Sequence, residues 1–328
     1  MKFKAYVSEE IEKDIYKRSI KERDLTDLPN NDVVINVKYS TLNYKDALSA
    51  RGHRGISRFY PHTPGVDAVG MVYSSKTKNF KVGDEVVVTG YDLGMNTSGG
   101  FAEFISVPES WVISKRPNLT MQETMIYGTA GMTAALCVNE LLKHGLTPND
   151  GPILVTGSTG GVGSMAVGIL SKIGFEVFAS TGKLEQSEYL KKLGAKQIIH
   201  RSEVNDTTNK PLLPKRWKGA IDNVGGNTLS TIIRSTDHRG AVCIVGLVES
   251  DSFHMNVYPF LMRGVTIIGI DSAERELEVK EMLWNKLTND WKFDALNDIY
   301  KEVNLEDIDA EIEKILKGQQ VGKILIKI

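Results

Sequence analysis

The chain has 328 residues, enough for two domains of ordinary size, and its 41% apolar and 25% charged content is that of a globular protein. A net charge of −1 gives no electrostatic footprint for nucleic acid, and no apolar run of about 18 residues suggests a membrane span. The two cysteines, Cys137 and Cys243, sit in apolar runs, which fits a reducing compartment, the cytoplasm, without a disulfide framework. The opening segment, Met1 to Tyr6, lacks the apolar stretch of a secretory signal.

In chain order, residues 1–115 read as β-rich. Asp32–Ser40 alternates in part, and Ala68–Tyr73, Asp84–Gly90 and Phe101–Pro108 are short strands ended by glycine or polar turns. Such spacing predicts a barrel or sandwich. The pattern changes near residue 120. Met121–His144 reads as a long helix. Apolar strands then alternate with helices: Pro152–Gly157, Phe175–Ser180, Lys196–His200, Gly219–Asn223, Gly240–Gly246 and Gly264–Ile270. Six such strands predict a doubly wound parallel sheet, an α/β fold. A helix at Asp307–Lys317 and a strand at Gly322–Ile328 close the chain, and this strand is expected to return to the first domain. The expected organisation is therefore 1–120, 121–270, and a return segment 271–328.

The segment Pro152–Ser164 carries the most chemistry. A short apolar strand ends in Thr156-Gly157-Ser158-Thr159-Gly160-Gly161-Val162-Gly163, and a helical pattern follows. Strand, glycine turn and helix form the context of a dinucleotide site: glycines permit a tight turn and let backbone N–H groups approach a pyrophosphate. The helix N-terminus then offers unpaired donors to the anion. The strict G-x-G-x-x-G is not met, because Ser158 stands in the first position ahead of Gly160 and Gly163. The second strand ends Ser180-Thr181-Gly182-Lys183, where a carboxylate for the ribose of NAD would otherwise stand. Two hydroxyls, a glycine and a lysine, joined by Arg201, instead suit a 2′-phosphate and point to NADP(H). The plain alternative is a solvated turn.

Two other enzyme classes fail on residues. The turn also fits T-G-x-x-x-G-x-G of short-chain dehydrogenases, but none of the eleven tyrosines has a lysine four positions later. A zinc alcohol dehydrogenase needs Cys and His ligands from its first domain, and the first 120 residues hold no cysteine and only His53 and His62. No metal is expected.

These residues resemble the zinc-free medium-chain dehydrogenase/reductases of quinone oxidoreductase type, and within them the YhdH/YhfP branch that includes acryloyl-CoA reductases. The resemblance rests on Asn43-Tyr44-Lys45-Asp46-Ala47-Leu48, Tyr127–Gly131, the turn Val155–Ser164, Glu188–Ala195, Tyr258–Val265 and Gly269–Ser272. Where the zinc enzymes carry a Cys ligand, this chain has Leu42–Ala47. Where they carry Gly-His-Glu, it has Gly65-Val66-Asp67. The resemblance implies a GroES-like β-barrel catalytic domain, an NADP-binding Rossmann domain and a homodimer. It implies that Tyr44 lies at the nicotinamide, that Thr159, Gly160, Gly161 and Val162 hold the pyrophosphate with Ser158 also in the cofactor site, and that Leu247, Leu261 and Ser272 line the cofactor channel. It places the 2′-phosphate on Ser180, Thr181, Gly182, Lys183 and Arg201. The family often has arginine at Lys183, and residues 273–276 match it poorly.

The implied reaction is hydride transfer from NADPH to the β-carbon of a short α,β-unsaturated acyl thioester such as acryloyl-CoA. Tyr44 is then either a donor to the developing charge or a wall of the pocket. Arg51, Arg54 and Arg58 crowd one loop after Tyr44; they are either a solvated loop or a clamp for CoA phosphates. A quinone or enone reductase of broad specificity, and an NADPH-binding protein without catalysis, are the other readings.

Overall fold

A computed structural model describes all 328 residues. The chain divides into two compact units: Met1–Thr129, Ala273–Thr288 and Asn297–Ile328 form the first, and Ala130–Ser272 with Asn289–Leu296 the second. The breaks thus fall at 129/130 and 272/273 rather than at 120/121 and 270/271, and a short piece of the return segment belongs to the second unit.

The first unit opens with a hairpin that the sequence reading does not anticipate. Strands β1 (Lys2–Glu12) and β2 (Ile15–Asp24) pair antiparallel around Asp14, which takes a left-handed conformation at φ 61°. Phe3, Ala5 and Val7 lie buried on alternate positions of β1 and pack with Ala102 and Phe104. Strand β3 (Val33–Leu42), helix α1 (Tyr44–Ala50) and strands β4 (Asp67–Ser75), β5 (Glu85–Thr89), β6 (Phe104–Val107) and β7 (Ile113–Ser114) follow. Val33, Ile35 and Val37 alternate inward on β3 and join Ala68, Val72, Val86, Val88, Ile105 and Val107 in one core. Helix α2 (Met121–Lys143) is kinked at Gly128 (φ 47°, ψ −153°). A Cβ there would stand 2.7 Å from the Thr41 side chain and 3.0 Å from a carboxylate oxygen of Asp67, so glycine is required by both conformation and space.

The second unit is the predicted doubly wound sheet. It contains β8 (Ile153–Val155), α3 (Gly161–Lys172), β9 (Val177–Thr181), α4 (Ser187–Lys192), β10 (Gln197–His200), β11 (Trp217–Asp222), α5 (Gly226–Ser235), β12 (Thr236–Ile244), α6 (Tyr258–Arg263) and β13 (Thr266–Gly269). The strands run in the order β10-β9-β8-β11-β12-β13, all pairs parallel. The order reverses beside β8, and a crevice at such a reversal is where open α/β sheets take ligands. The inner strands read as unbroken apolar runs because they are buried on both faces: Ile153, Leu154 and Val155 have no exposed surface.

The return segment holds α7 (Leu277–Thr288), β14 (Tyr300–Asn304), α8 (Ile308–Leu316) and β15 (Lys323–Lys327). Strand β15 pairs antiparallel with β3, Ile324 facing Leu42, and parallel with β14. It therefore completes the seven-stranded sheet β14-β15-β3-β4-β5-β7, with β6 also on β3.

Turn geometry at the end of β8 yields a direct test. A Cβ on Gly163 would lie 2.3 Å from the Gly157 carbonyl oxygen and 2.7 Å from the Ser158 Cα, both backbone. Gly163→Ala is expected to destabilise the second unit by about 1–3 kcal/mol in denaturant titration. Gly160→Ala, whose Cβ would meet nothing nearer than 3.3 Å, should cost far less.

Candidate functional site

In the second unit, the chain leaves β8 through Thr156 and turns at Gly157 (φ 56°) into α3. Gly160 is the N-cap and no side chain caps the helix, so the first-turn N–H groups remain for another acceptor. Gly157, Gly160, Gly161 and Val162 are partly exposed, whereas Ser158 and Thr159 are buried. Ser158 faces inward: its N–H and hydroxyl both donate to the Ser180 carbonyl, at 3.2 and 2.9 Å. It bolts the turn to β9 rather than presenting its hydroxyl outward.

A residue that the sequence reading misses holds this turn from below. Asp222, buried at the end of β11, accepts from Thr156 Oγ1 at 2.6 Å, Gly225 N at 2.8 Å and Val224 N at 3.2 Å. The next residue, Asn223, donates from its side chain to the Thr156 carbonyl at 2.8 Å. Burial raises the Asp222 carboxyl above the usual range, and those donors oppose the rise. An acid ending an otherwise apolar strand is the available sequence signal.

At the tip of β9, Gly182 lies under Arg201: a Cβ there would stand 3.0 Å from both Cδ and Nε of the arginine. Lys183 N donates to Thr181 Oγ1 at 2.9 Å, and Thr181 Oγ1 is 3.5 Å from Thr159 Oγ1. Partial burial lowers the Lys183 ammonium, with Glu185 opposing. Ser180 is buried, and its carbonyl is taken by Ser158. The structure thus gathers Thr159, Thr181, Gly182, Lys183 and Arg201 at one edge, next to an exposed acid, Glu185, that the sequence reading omits. Leu247 (64% exposed) follows β12 and Leu261 (76%) lies on α6. The hydroxyls of Ser272 and Thr133 are 2.6 Å apart.

In the first unit, Tyr44 is the first residue of α1, 43% exposed, and its hydroxyl makes no hydrogen bond within the chain. Asn43 and Asp46 brace the turn that carries Tyr44. The Asp46 carboxylate accepts from Asn43 N and Val66 N, both at 2.8 Å. Asn43 Nδ2 donates to Asp67 at 2.7 Å and to Asp46 at 3.2 Å. Asp67 also accepts from Thr129 N at 2.9 Å and Thr129 Oγ1 at 2.7 Å. From β15, Lys323 Nζ donates to Asn43 Oδ1 at 3.1 Å. Asp46, Asp67 and Lys323 are all buried. Burial, with the Asp67 charge, pushes the Asp46 carboxyl up to about 7. Burial likewise raises Asp67 and lowers Lys323.

The arginine loop is less free than its composition suggests. Arg51 pairs with Glu313, and Arg54 with Glu10. Arg54 also lies over the Tyr60 ring at 5.0 Å and donates to the Arg58 carbonyl at 2.6 Å. Arg58 is exposed and has no carboxylate partner. His62 is buried with Nε2 2.8 Å from the Gly94 carbonyl, a packing role, whereas His53 is exposed. No three His, Cys, Asp or Glu side chains are grouped so as to hold a metal ion, and no helix is long and apolar enough to cross a membrane.

Comparison with known proteins agrees with this layout. A family model described as alcohol dehydrogenase GroES-like domain matches residues 29–117, and one described as zinc-binding dehydrogenase matches residues 161–288. YhfP of Bacillus subtilis, named as a quinone oxidoreductase, is 43% identical over 303 residues, 92% of each chain. The acrylyl-CoA reductase AcuI of Ruegeria pomeroyi is 40% identical over 310 residues, 94% of each chain. The structure of yhdH from Salmonella enterica in complex with NADP matches with a TM-score of 0.96 at 36% identity over 100% of both chains. That of YhfP with NAD bound matches at 0.97 and 41% identity, again over 100% of both. The chain belongs to the medium-chain dehydrogenase/reductase family, in the branch that holds YhfP, AcuI and YhdH.

Proposed function

We propose that this chain is an NADPH-dependent reductase of the C=C bond in a short α,β-unsaturated acyl thioester, acryloyl-CoA or a close relative. The observation that carries the cofactor choice is the tip of β9, where Arg201 lies over Gly182, Lys183 follows directly and no carboxylate ends the strand. A ribose 2′-phosphate fits two cations there, and a ribose 2′-hydroxyl lacks its usual acidic acceptor. The uncapped N-terminus of α3 and its open glycines suit the pyrophosphate, which Thr159 to Val162 would hold. The substrate class rests on kinship with AcuI over nearly the full chain.

Bound NADPH supplies the hydride, delivered to the β-carbon. The chain's own task is to stabilise negative charge on the thioester oxygen and to protonate the α-carbon. Tyr44 suits the first task, because its hydroxyl is unengaged and its backbone is fixed by the buried network beneath Asn43. Its alternative role is a wall of the nicotinamide pocket. Leu247, Leu261 and Ser272 are assigned to the cofactor channel on family grounds. For the CoA phosphates, Arg58 is available at once. Arg51 and Arg54 would first leave Glu313 and Glu10, solvent-screened pairs that cost little to open.

That commitment of two arginines favours a second reading, a quinone or enone reductase without a CoA clamp, in line with the name of YhfP. We also infer independence from zinc: the first unit holds no cysteine, and the Asp67 carboxylate is engaged by Asn43 and Thr129. Strand β13 has a partner on one side only, so a homodimer pairing two such edges is the expected assembly. The cytoplasm is the expected location.

Two measurements test the reading. Lys183→Ala should raise the KM for NADPH by ~10-fold, as expected for loss of one phosphate-bound cation, and leave NADH kinetics nearly unchanged; equal efficiency of the parent enzyme with both cofactors would refute the NADPH assignment. With NADPH, acryloyl-CoA should be reduced faster than a simple quinone, and Tyr44→Phe should lower kcat by ~10²-fold if the phenol faces the developing charge. A quinone preferred over the thioester would select the second reading, and turnover of neither would leave a binding protein.

A further inference from the structure

We infer that Lys323, on the last strand of the chain, is a positioning residue for Tyr44, acting through the side-chain amide of Asn43. This rests on the reading of Tyr44 as a residue of the reacting site.

Lys323 is buried, and its hydrogen bond goes to Asn43 Oδ1 at 3.1 Å rather than to either carboxylate. Its place is set by sheet register: Ile324 on β15 faces Leu42 on β3, so Lys323 stands beside the residue that follows Leu42, which is Asn43. The amide has only one tolerable orientation. Its Nδ2 meets Asp67 at 2.7 Å and Asp46 at 3.2 Å, both acceptors, while Oδ1 meets an ammonium, a donor alone. Turning the amide over would aim oxygen at two carboxylates and N–H groups at a cation.

Asn43 is thereby held at three atoms, with the Asp46 carboxylate on its backbone N–H as the third. Tyr44 is the next residue, and α1 has only seven residues, too few to fix its own first turn. Removing Lys323 leaves two buried carboxylates without their cation and frees Oδ1, so the amide no longer has a single preferred orientation. The Tyr44 backbone then loses one of its anchors. Burial holds the Lys323 ammonium below its ordinary value, yet the two facing acids, Asp46 and Asp67, keep favouring its charge.

The test follows Tyr44 itself. The full chain is labelled with 3-fluorotyrosine, and the Tyr44 resonance is assigned among the eleven tyrosines by its loss in Tyr44→Phe. Lys323→Met should shift or broaden that fluorine signal and lower kcat ~10-fold to ~10²-fold with the KM for NADPH unchanged, the scale of a misplaced reacting group. Lys323→Arg, which keeps a buried cation and donor, should restore both. Should Lys323→Met fail to fold, the charge-balanced pair Lys323→Met with Asp67→Asn replaces it, with the same changes expected. A folded variant lacking Lys323 whose Tyr44 signal matches the parent overturns the proposal. If the signal moves in Lys323→Met while Tyr44→Phe itself leaves kcat unchanged, the positioning stands and the catalytic reading of Tyr44 falls.

Discussion

Burying a carboxylate costs several kcal/mol unless its oxygens find donors and a cation stands near. The first unit buries two completely, Asp46 on one short helix and Asp67 beside it, and much of its local architecture answers that demand. The donors come from far apart in the chain, Asn43 before α1, Val66 before β4 and Thr129 after the kink of α2, and the cation, Lys323 on β15, reaches them through the Asn43 amide. Each is delivered by a different structural feature. The kink at Gly128 turns Thr129 N–H toward Asp67, and the antiparallel register of β15 on β3 brings the ammonium to Asn43. A return of the final strand to the first sheet is therefore an electrostatic requirement as well as a matter of pairing an edge.

The second unit meets a different constraint, the close approach of backbone to backbone. Gly163 packs against the Gly157 carbonyl, and Gly246 lies so near the Asn223 carbonyl that a Cβ would stand 2.3 Å from it. Such positions are legible in a sequence because only one residue type satisfies them. The six parallel strands were legible for a related reason: strands buried on both faces read as continuous apolar runs. Elements whose exposed faces carry charge were not. Strand β2 is Ile-Tyr-Lys-Arg-Ser-Ile-Lys-Glu-Arg-Asp, with no clean period of two, and β14 buries Val303 alone. Helix α7 has an inward stripe at 280, 283, 284 and 287, but its first member is a lysine. Lys280 donates to the Thr89 and Ala273 carbonyls and lies 3.3 Å from the centre of the Tyr91 ring, a satisfied buried cation that hides a core face.

The site was legible to the same extent and for the same reasons. The glycine turn and the β9 tip depend on residues adjacent in sequence, so their chemistry can be read there. Lys323 and Asp222 act at long sequence distance: Lys323 meets a residue 280 positions away, and Asp222 meets Thr156 across 66. No local pattern announces Lys323, and for Asp222 the one local signal is an acid at the end of an apolar strand. The arginine loop shows the same limit from the other side. Three arginines in eight residues read as a free basic surface, yet two are matched by Glu10 and Glu313 from segments that a local reading cannot bring near.

The segments that carry ligands in the zinc enzymes of this fold carry charge here in another form. By the resemblance, Gly65-Val66-Asp67 stands for the Gly-His-Glu of those enzymes, and Leu42–Ala47 for their Cys segment. Both Asp67 oxygens already accept, one from Asn43 and the other from Thr129, and the positive charge nearby belongs to a lysine fixed in the sheet. On the proposed zinc-free reading, the network is a scaffold that aims a neighbour rather than a site that binds charge. What emerges from it is Tyr44, on a pinned backbone with a free hydroxyl. Reduction of an activated double bond asks for one donor, held in place before charge develops, and a donor so held incurs no reorganisation cost at the moment of transfer.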